Sequence, residues 1–351
     1  MDTKIVVTDE NDIDLKAINE AGRIIKEGGL VAFPTETVYG LGGDALCPES
    51  SKKIYAAKGR PSDNPLIVHI ADMEHLAPIV SKIPKEAIKL SKAFWPGPLT
   101  MIFKKADIVP KETTGGLDTV AVRMPSNKIA KAFIEASGGY IAAPSANISG
   151  RPSPTLAKYV IEDMMGRIDM IIDGGASDVG LESTIVDLTE GKPVILRPGF
   201  ITQDMLERAL NEDVEWDRAI IDSDSKVPPK APGMKYRHYA PKASLTIVEG
   251  ERKRVAEKIN ELGSEAVKNG KKVGVIATDE TSSFYDKAFT VKSAGHEGNE
   301  ADAAHYLFRI LREFDDENTD VIYSESFEGN GVGRATMNRL IKAAGHTVIT
   351  V

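Results

Sequence analysis

The chain has 351 residues, 42% of them hydrophobic, which is more apolar material than one typical compact unit needs, so two cored domains are expected. A formal net charge of -8 argues against a protein that coats nucleic acid or an anionic membrane, because either role needs a basic surface. The one cysteine, Cys47, rules out an internal disulfide. No apolar run approaches the roughly 20 residues that span a bilayer, and the N-terminus does not read as a signal peptide, so a soluble cytoplasmic protein with no membrane partner is expected.

In chain order, periodicity predicts helices over Leu15 to Lys26, Glu49 to Ala57, Lys85 to Phe94 and Lys128 to Ser137, where apolar residues recur at three- and four-residue spacing. Strand-like runs lie between them at Gly29 to Phe33, Pro65 to Ile70, Thr119 to Arg123 and Ser183 to Leu188. That pattern predicts a mixed-sheet α/β domain over residues 1–212. A proline-rich stretch, Val227-Pro228-Pro229-Lys230-Ala231-Pro232-Gly233, breaks it and reads as a linker over 213–243. Residues 244–351 then alternate strand and helix: strand from Ser244 to Val248, helix from Arg252 to Lys268, strand from Lys272 to Ala277, helix from Asp302 to Phe314, strand from Asp320 to Ser324, helix from Arg334 to Ala344, and a last strand. Such alternation implies parallel βαβ units with helices covering a sheet.

Several strand ends carry polar chemistry. In Phe33-Pro34-Thr35-Glu36-Thr37-Val38-Tyr39-Gly40-Leu41-Gly42-Gly43 an apolar strand runs into hydroxyls, a carboxylate and glycines; this reads equally as a ligand-facing strand end or as a strand with a glycine turn. Lys58-Gly59-Arg60-Pro61-Ser62 places a point charge and a planar fork one residue apart, suited to phosphate oxygens, yet an ordinary basic loop has the same composition. Ala142-Ala143-Pro144-Ser145-Ala146-Asn147-Ile148-Ser149-Gly150 supplies small residues and neutral hydrogen-bonding groups, or simply a turn with Asx capping. Arg123, ending a run of Val and Ala, demands an anionic partner from protein or ligand. No G-x-x-x-x-G-K-[ST] loop is present, so a phosphate site here is not a P-loop. The glycine-rich Glu328-Gly329-Asn330-Gly331-Val332-Gly333-Arg334 could offer amides to an anion, but reads better as a loop entering a helix.

Together these segments, with Ala231-Pro232-Gly233-Met234-Lys235-Tyr236-Arg237-His238-Tyr239-Ala240-Pro241, resemble the YrdC/YciO-type family, in its long two-domain form that makes L-threonylcarbamoyl adenylate. The resemblance runs from about Leu30 to Pro241 and implies a YrdC-like mixed-sheet α/β domain, a linker, and a smaller Rossmann-like α/β domain. It implies ATP, L-threonine and bicarbonate or CO2 as substrates, Mg2+ accompanying ATP without assigned ligands, and a downstream tRNA threonylcarbamoyl transferase machinery as partner.

By the same resemblance, Lys58 and Arg60 carry the catalytic electrostatics and form a nucleotide and phosphate tetrad with Ser145 and Asn147. Thr35, His69, Arg123, Ala143 and Ser183 surround threonine, with Arg123 as partner of its carboxylate. Ser62, Thr119, Ser153, Arg197 and Tyr239 help hold ATP. Without the family pattern, His69 in Leu66-Ile67-Val68-His69-Ile70 would read as a satisfied core histidine. Lys235 to Tyr239, cationic and aromatic, is expected to act as a lid. Two rivals share the likeness: a non-catalytic RNA-binding module, opposed by the acidic charge, and a hydrogenase-maturation carbamoyl-transfer enzyme, whose zinc-finger-like patterns one cysteine cannot build.

Overall fold

The computed structural model describes residues 2–217, 239–327 and 330–351. These divide into two compact units: residues 2–149, 153–178 and 182–217 form the first, and 150–152, 179–181 and the chain from 239 onward form the second.

The first unit carries β1 (Lys4–Val7), α1 (Leu15–Lys26), β2 (Val31–Phe33), β3 (Gly40–Asp44), α2 (Pro48–Lys58), β4 (Ile67–His69), α3 (Leu76–Ile79), α4 (Lys85–Phe94), β5 (Leu99–Lys104) and β6 (Thr119–Arg123). It continues with α5 (Lys128–Ala136), β7 (Ile141–Ala143), α6 (Ala157–Met164), β8 (Met170–Asp173), β9 (Thr184–Asp187), β10 (Val194–Arg197), α7 (Gln203–Leu210) and β11 (Glu215–Trp216). Among the described residues its strands form one mixed sheet of eleven, ordered β1-β8-β2-β3-β7-β4-β6-β5-β9-β10-β11. Strand alternation divides the core between the two faces. Phe33, Ile141, Ala143 and Met170 pack with Ile18, Ile25, Ile129 and Phe133 of α1 and α5, while Ala32, Val68, Val122, Ala142 and Val186 pack on the opposite side with residues of α2, α4, α6 and α7.

The predicted helices appear at Leu15–Lys26, Pro48–Lys58, Lys85–Phe94 and Lys128–Ala136. Local chemistry sets their ends: Asp14 accepts the Ala17 N–H at 3.0 Å and Asn127 the Ala130 N–H at 2.9 Å, satisfying amides the helices leave open. The Gly40 to Gly43 segment is a strand rather than a turn. A side chain at Gly42 would meet Ile141 Cγ2 at 2.9 Å and Phe33 Cε1 at 3.2 Å, so glycine is what lets β3 pass under the Phe33 ring. The span expected as linker begins with sheet structure, since β11 pairs with β10 in parallel and Val214 is buried in the core. Residues 218–238, including most of the proline-rich stretch and Lys235, Tyr236, Arg237 and His238 of the expected lid, lie outside the described residues.

The second unit carries β12 (Ser244–Glu249), α8 (Arg252–Lys268), β13 (Val273–Ala277), β14 (Thr290–Ser293), α9 (Glu300–Asp316), β15 (Val321–Glu325), α10 (Gly331–Ala343) and β16 (Val348–Thr350). Its strands form a sheet ordered β14-β13-β15-β12-β16, in which every pairing is parallel. This is the Rossmann-like alternation expected from the sequence, with β14 as an additional edge strand whose side chains are only partly buried. No helix among the described residues is long and apolar enough to cross a membrane.

Candidate functional site

Two polar clusters form in the first unit. The first follows sheet register: His69 at the end of β4 is the direct partner of Arg123 at the end of β6, and Arg123 in turn is the partner of Thr100 on β5. Residues directly opposite one another project on the same face, so the three side chains line up across the sheet. The row continues through hydroxyls, with Thr100 Oγ1 2.7 Å from Ser183 Oγ. Arg197, ending β10, donates from Nε to the Ser183 carbonyl at 3.0 Å and from Nη2 to Ser183 Oγ at 3.1 Å.

Arg123 is buried, and its guanidinium is turned toward the loop between β2 and β3. Its Nη1 donates to Thr37 Oγ1 at 2.9 Å and its Nε to the Gly97 carbonyl at 3.4 Å. Its Nη2 lies 2.8 Å from Glu36 Oε1, but neither atom makes an aligned hydrogen bond, so the charges touch without a bond that satisfies either. Thr35 organises the same loop, donating to the Val38 carbonyl at 2.7 Å and accepting from the Thr37 and Val38 amides at 3.2 and 3.3 Å.

His69 is neutral here. Burial, and then the adjacent Arg123 cation, push its pKa down to about 3. Nδ1 lies 3.1 Å from the Ile67 carbonyl, and the Ile141 backbone is a second hydrogen-bond partner of the ring.

The second cluster centres on Lys58, the last residue of α2. Its side chain is 1% exposed. The ammonium donates to the Ser145 and Asn147 carbonyls, the latter at 2.5 Å, and lies 3.5 Å from Asn147 Oδ1, which also accepts the Ser145 hydroxyl at 2.5 Å. The left-handed Gly59 (φ 63°) ends the helix at this point. The main chain ties the clusters together, since Ala146 N–H donates to the Tyr39 carbonyl at 2.8 Å and Leu41 N–H to the Pro144 carbonyl at 2.9 Å, on either side of Gly40.

The structure thus brings Lys58, Ser145 and Asn147 together, and separately Thr35, His69, Arg123, Ser183 and Arg197. Ala143 ends β7, opposite Ile67 on β4. Arg60 turns to its own loop, donating to the Asn64 and Pro65 carbonyls at 3.2 and 3.1 Å. Ser62 is exposed on that loop and Thr119 starts β6, four residues before Arg123. Ser153 is buried and donates to Glu182 Oε1 at 2.6 Å. Tyr239 belongs to the second unit, where its ring stacks on Phe308 with centroids 5.0 Å apart.

Sequence reasoning assigned no role to Glu36, Thr37, Thr100 or Glu182. Thr100 had a signal, being the polar member of the otherwise apolar buried run Leu99-Thr100-Met101-Ile102-Phe103. In the second unit a cavity of about 420 Å³ opens where the parallel strands end, and carboxylates of Glu251, Glu297, Glu300 and Glu325 line it with Arg252. The amide of Gly333, in the first turn of α10, donates to Glu300 Oε2 at 2.9 Å, so a carboxylate of the protein already takes this amide of the glycine-rich segment.

A family model described as telomere recombination, covering Sua5, YciO and YrdC proteins, matches residues 23–199, and a model described as the C-terminal domain of threonylcarbamoyl-AMP synthase matches residues 201–345. The chain is 49% identical over 347 residues to a threonylcarbamoyl-AMP synthase of Pyrococcus abyssi, covering 99% of both chains. It is 47% identical over 344 residues to one of Bacillus subtilis, covering 98% of this chain and 97% of that one. Among solved structures, Pyrococcus abyssi Sua5 complexed with L-threonine superposes with a TM-score of 0.92 at 49% identity, over 99% of this chain and 100% of that one.

Proposed function

The chain belongs to the Sua5/YciO/YrdC family in its two-domain, threonylcarbamoyl-AMP synthase form, and on that premise we propose how its residues divide the work. The activity is nucleotidyl transfer: L-threonine and ATP are used to make threonylcarbamoyl-AMP. The carbon source is bicarbonate or CO2, pyrophosphate leaves, and the product feeds threonylcarbamoyl transfer to tRNA.

The observation that carries this assignment is the continuous polar row from His69 through Arg123 and Thr100 to Ser183 and Arg197, buried at the sheet ends beside the Thr35 loop. It has the features a small zwitterion needs: a guanidinium for the carboxylate, and hydroxyls and a neutral imidazole for a side-chain hydroxyl. The Lys58 cluster provides the anion-stabilising half. A buried ammonium fixed by two carbonyls does not have to reorganise as charge builds on the α-phosphate and the leaving pyrophosphate. Arg60 lies two residues beyond Lys58, past the left-handed Gly59, and supplies a second cation for the same polyphosphate.

The threonine amine attacks the carbon source, and the resulting carbamate oxygen then attacks the α-phosphorus. Positioning two bound reactants accounts for most of the acceleration, with no covalent enzyme intermediate. Among the described residues no group of three or more His, Cys, Asp or Glu side chains is placed to hold a metal ion. Mg2+ accompanies ATP, carried on its phosphate oxygens, where it neutralises charge.

The test is to incubate the purified full chain with ATP, bicarbonate and single amino acids, following pyrophosphate release and product mass. Threonine-dependent release of pyrophosphate with the adenylate mass is expected, reduced at least a hundredfold in Lys58→Ala. Release that does not depend on threonine would overturn the assignment.

A further inference from the structure

The Glu36 carboxylate is the least satisfied group in the first cluster. It is 6% exposed, and both its oxygens are buried without a hydrogen bond. Among the described residues its one close partner is Arg123 Nη2, 2.8 Å from Oε1, and Oε2 has none. A buried carboxylate forgoes several kilocalories of hydration unless donors replace the lost water, so an orphan oxygen beside a binding residue points to a donor that arrives with the ligand.

Arg123 is also incompletely used. Two of its five N–H groups are committed to hydrogen bonds, at Thr37 Oγ1 and the Gly97 carbonyl, which leaves donors for an incoming carboxylate. An α-amino acid carries its ammonium and its carboxylate roughly 3 Å apart, given standard covalent geometry. The protein groups that receive them must therefore be neighbours of opposite charge, as Glu36 and Arg123 are.

We infer that Glu36 is the ammonium subsite and proton acceptor for the amino-acid substrate: Oε2 takes the ammonium while Arg123 takes the carboxylate. The inference rests on the proposed function and adds a residue to it. The substrate enters as a zwitterion, and its nitrogen becomes nucleophilic only after losing a proton. In the proposed step the N–H bond of the ammonium breaks, the electron pair stays on nitrogen, and the proton passes to Glu36 Oε2. The free amine then attacks the carbon of CO2. The ionisable group paired with this carboxylate is Arg123 on β6; His69, the strand partner of Arg123, has depressed basicity and is a poor competitor for the proton. Threonine binding would turn a misaligned contact between two charges into a four-group array in which each charge has a partner.

The test compares the full chain with Glu36→Gln and Glu36→Asp, using L-threonine and (R)-3-hydroxybutanoate, which is threonine without its amine. Calorimetric affinities for threonine are expected to fall at least tenfold in Glu36→Gln and less in Glu36→Asp, while affinity for the deaminated analogue stays within about twofold in both. Equal weakening for the two ligands would show that Glu36 only holds Arg123 in place, and would overturn the inference. Turnover adds a second readout. In Glu36→Gln kcat should drop at least a hundredfold near neutral pH, within the usual worth of a positioned base, and then climb about tenfold per pH unit as solution supplies the free amine. A pH profile parallel to that of the unaltered chain would equally overturn it. If the unaltered chain makes no threonine-dependent pyrophosphate, the proposed function fails; the ligand comparison still decides the subsite, because it needs no turnover.

Discussion

Acidification should destabilise the first unit through His69. The imidazole is buried, in an edge-to-face contact with Phe33 at a centroid distance of 6.0 Å and with the Arg123 cation as its strand partner. Its pKa falls from the ordinary 6.5 to about 3 in the folded chain. At pH 7 the ring is neutral in both folded and unfolded states and the shift has no consequence. Below 6.5 the unfolded chain binds a proton that the folded chain refuses until about pH 3, so stability is lost as pH falls through that window. One pKa unit corresponds to about 1.4 kcal/mol, so lowering the pH from 7 to 4.5 should remove about 2–3 kcal/mol through this one residue.

Carboxylates titrate over the same range, and subtracting a matched variant removes their contribution. His69→Asn keeps a donor for the Ile67 carbonyl and cannot be protonated. Both tryptophans, Trp95 and Trp216, lie in the first unit, so urea unfolding followed by tryptophan fluorescence reports on that unit alone. The unaltered chain should lose about 2–3 kcal/mol more than His69→Asn between pH 7 and 4.5. Equal losses would refute the reasoning, because they would mean that the folded state accommodates the imidazolium.

Arg123→Met should destabilise the first unit by about 3–5 kcal/mol, because it leaves the buried Glu36 carboxylate without its cation; adding Glu36→Gln should recover more than half of that loss in the same unfolding assay. Thr100→Val removes the hydroxyl beside Ser183 and should cost about 1 kcal/mol of stability, with KM for threonine rising several-fold and KM for ATP unchanged. Lys58→Met strands the Ser145 and Asn147 carbonyls and should cost about 1–3 kcal/mol, alongside a loss of turnover too large for the destabilisation to explain. Gly59→Ala meets nothing within 4 Å but must hold φ at 63°, so thermal unfolding should reveal about 1–2 kcal/mol of backbone strain.

The sequence made the elements legible wherever local chemistry agreed with tertiary packing. The predicted bounds of α1 and α4 match the structure because apolar periodicity, with an Asp14 cap in α1, already specifies where those helices run. β3 was harder to read, since a run of glycines carries no strand signal until the Phe33 ring and Ile141 above it are known. The site divided along similar lines. Arg123 stood out on its own, because a guanidinium ending an apolar run is visible in a linear string, whereas Lys58, Ser145, Asn147 and Ser183 were assigned roles only through the family resemblance. Thr100 and Glu36 received no role, since a threonine in a strand or a glutamate in a loop is unremarkable until its neighbours are seen.

Composition and order of residues were sufficient to determine that this chain folds as a mixed α/β domain followed by a parallel one, with a guanidinium in an apolar strand that required an anion. Tertiary structure decided which anion that is. Sheet register places Arg123 between His69 and Thr100, and folding of the β2–β3 loop brings Glu36 against it from 87 residues away. Each of those contacts joins segments distant in the chain, and the desolvation that depresses the basicity of His69 and leaves Glu36 short of donors exists only once the sheet and its helices have closed around them.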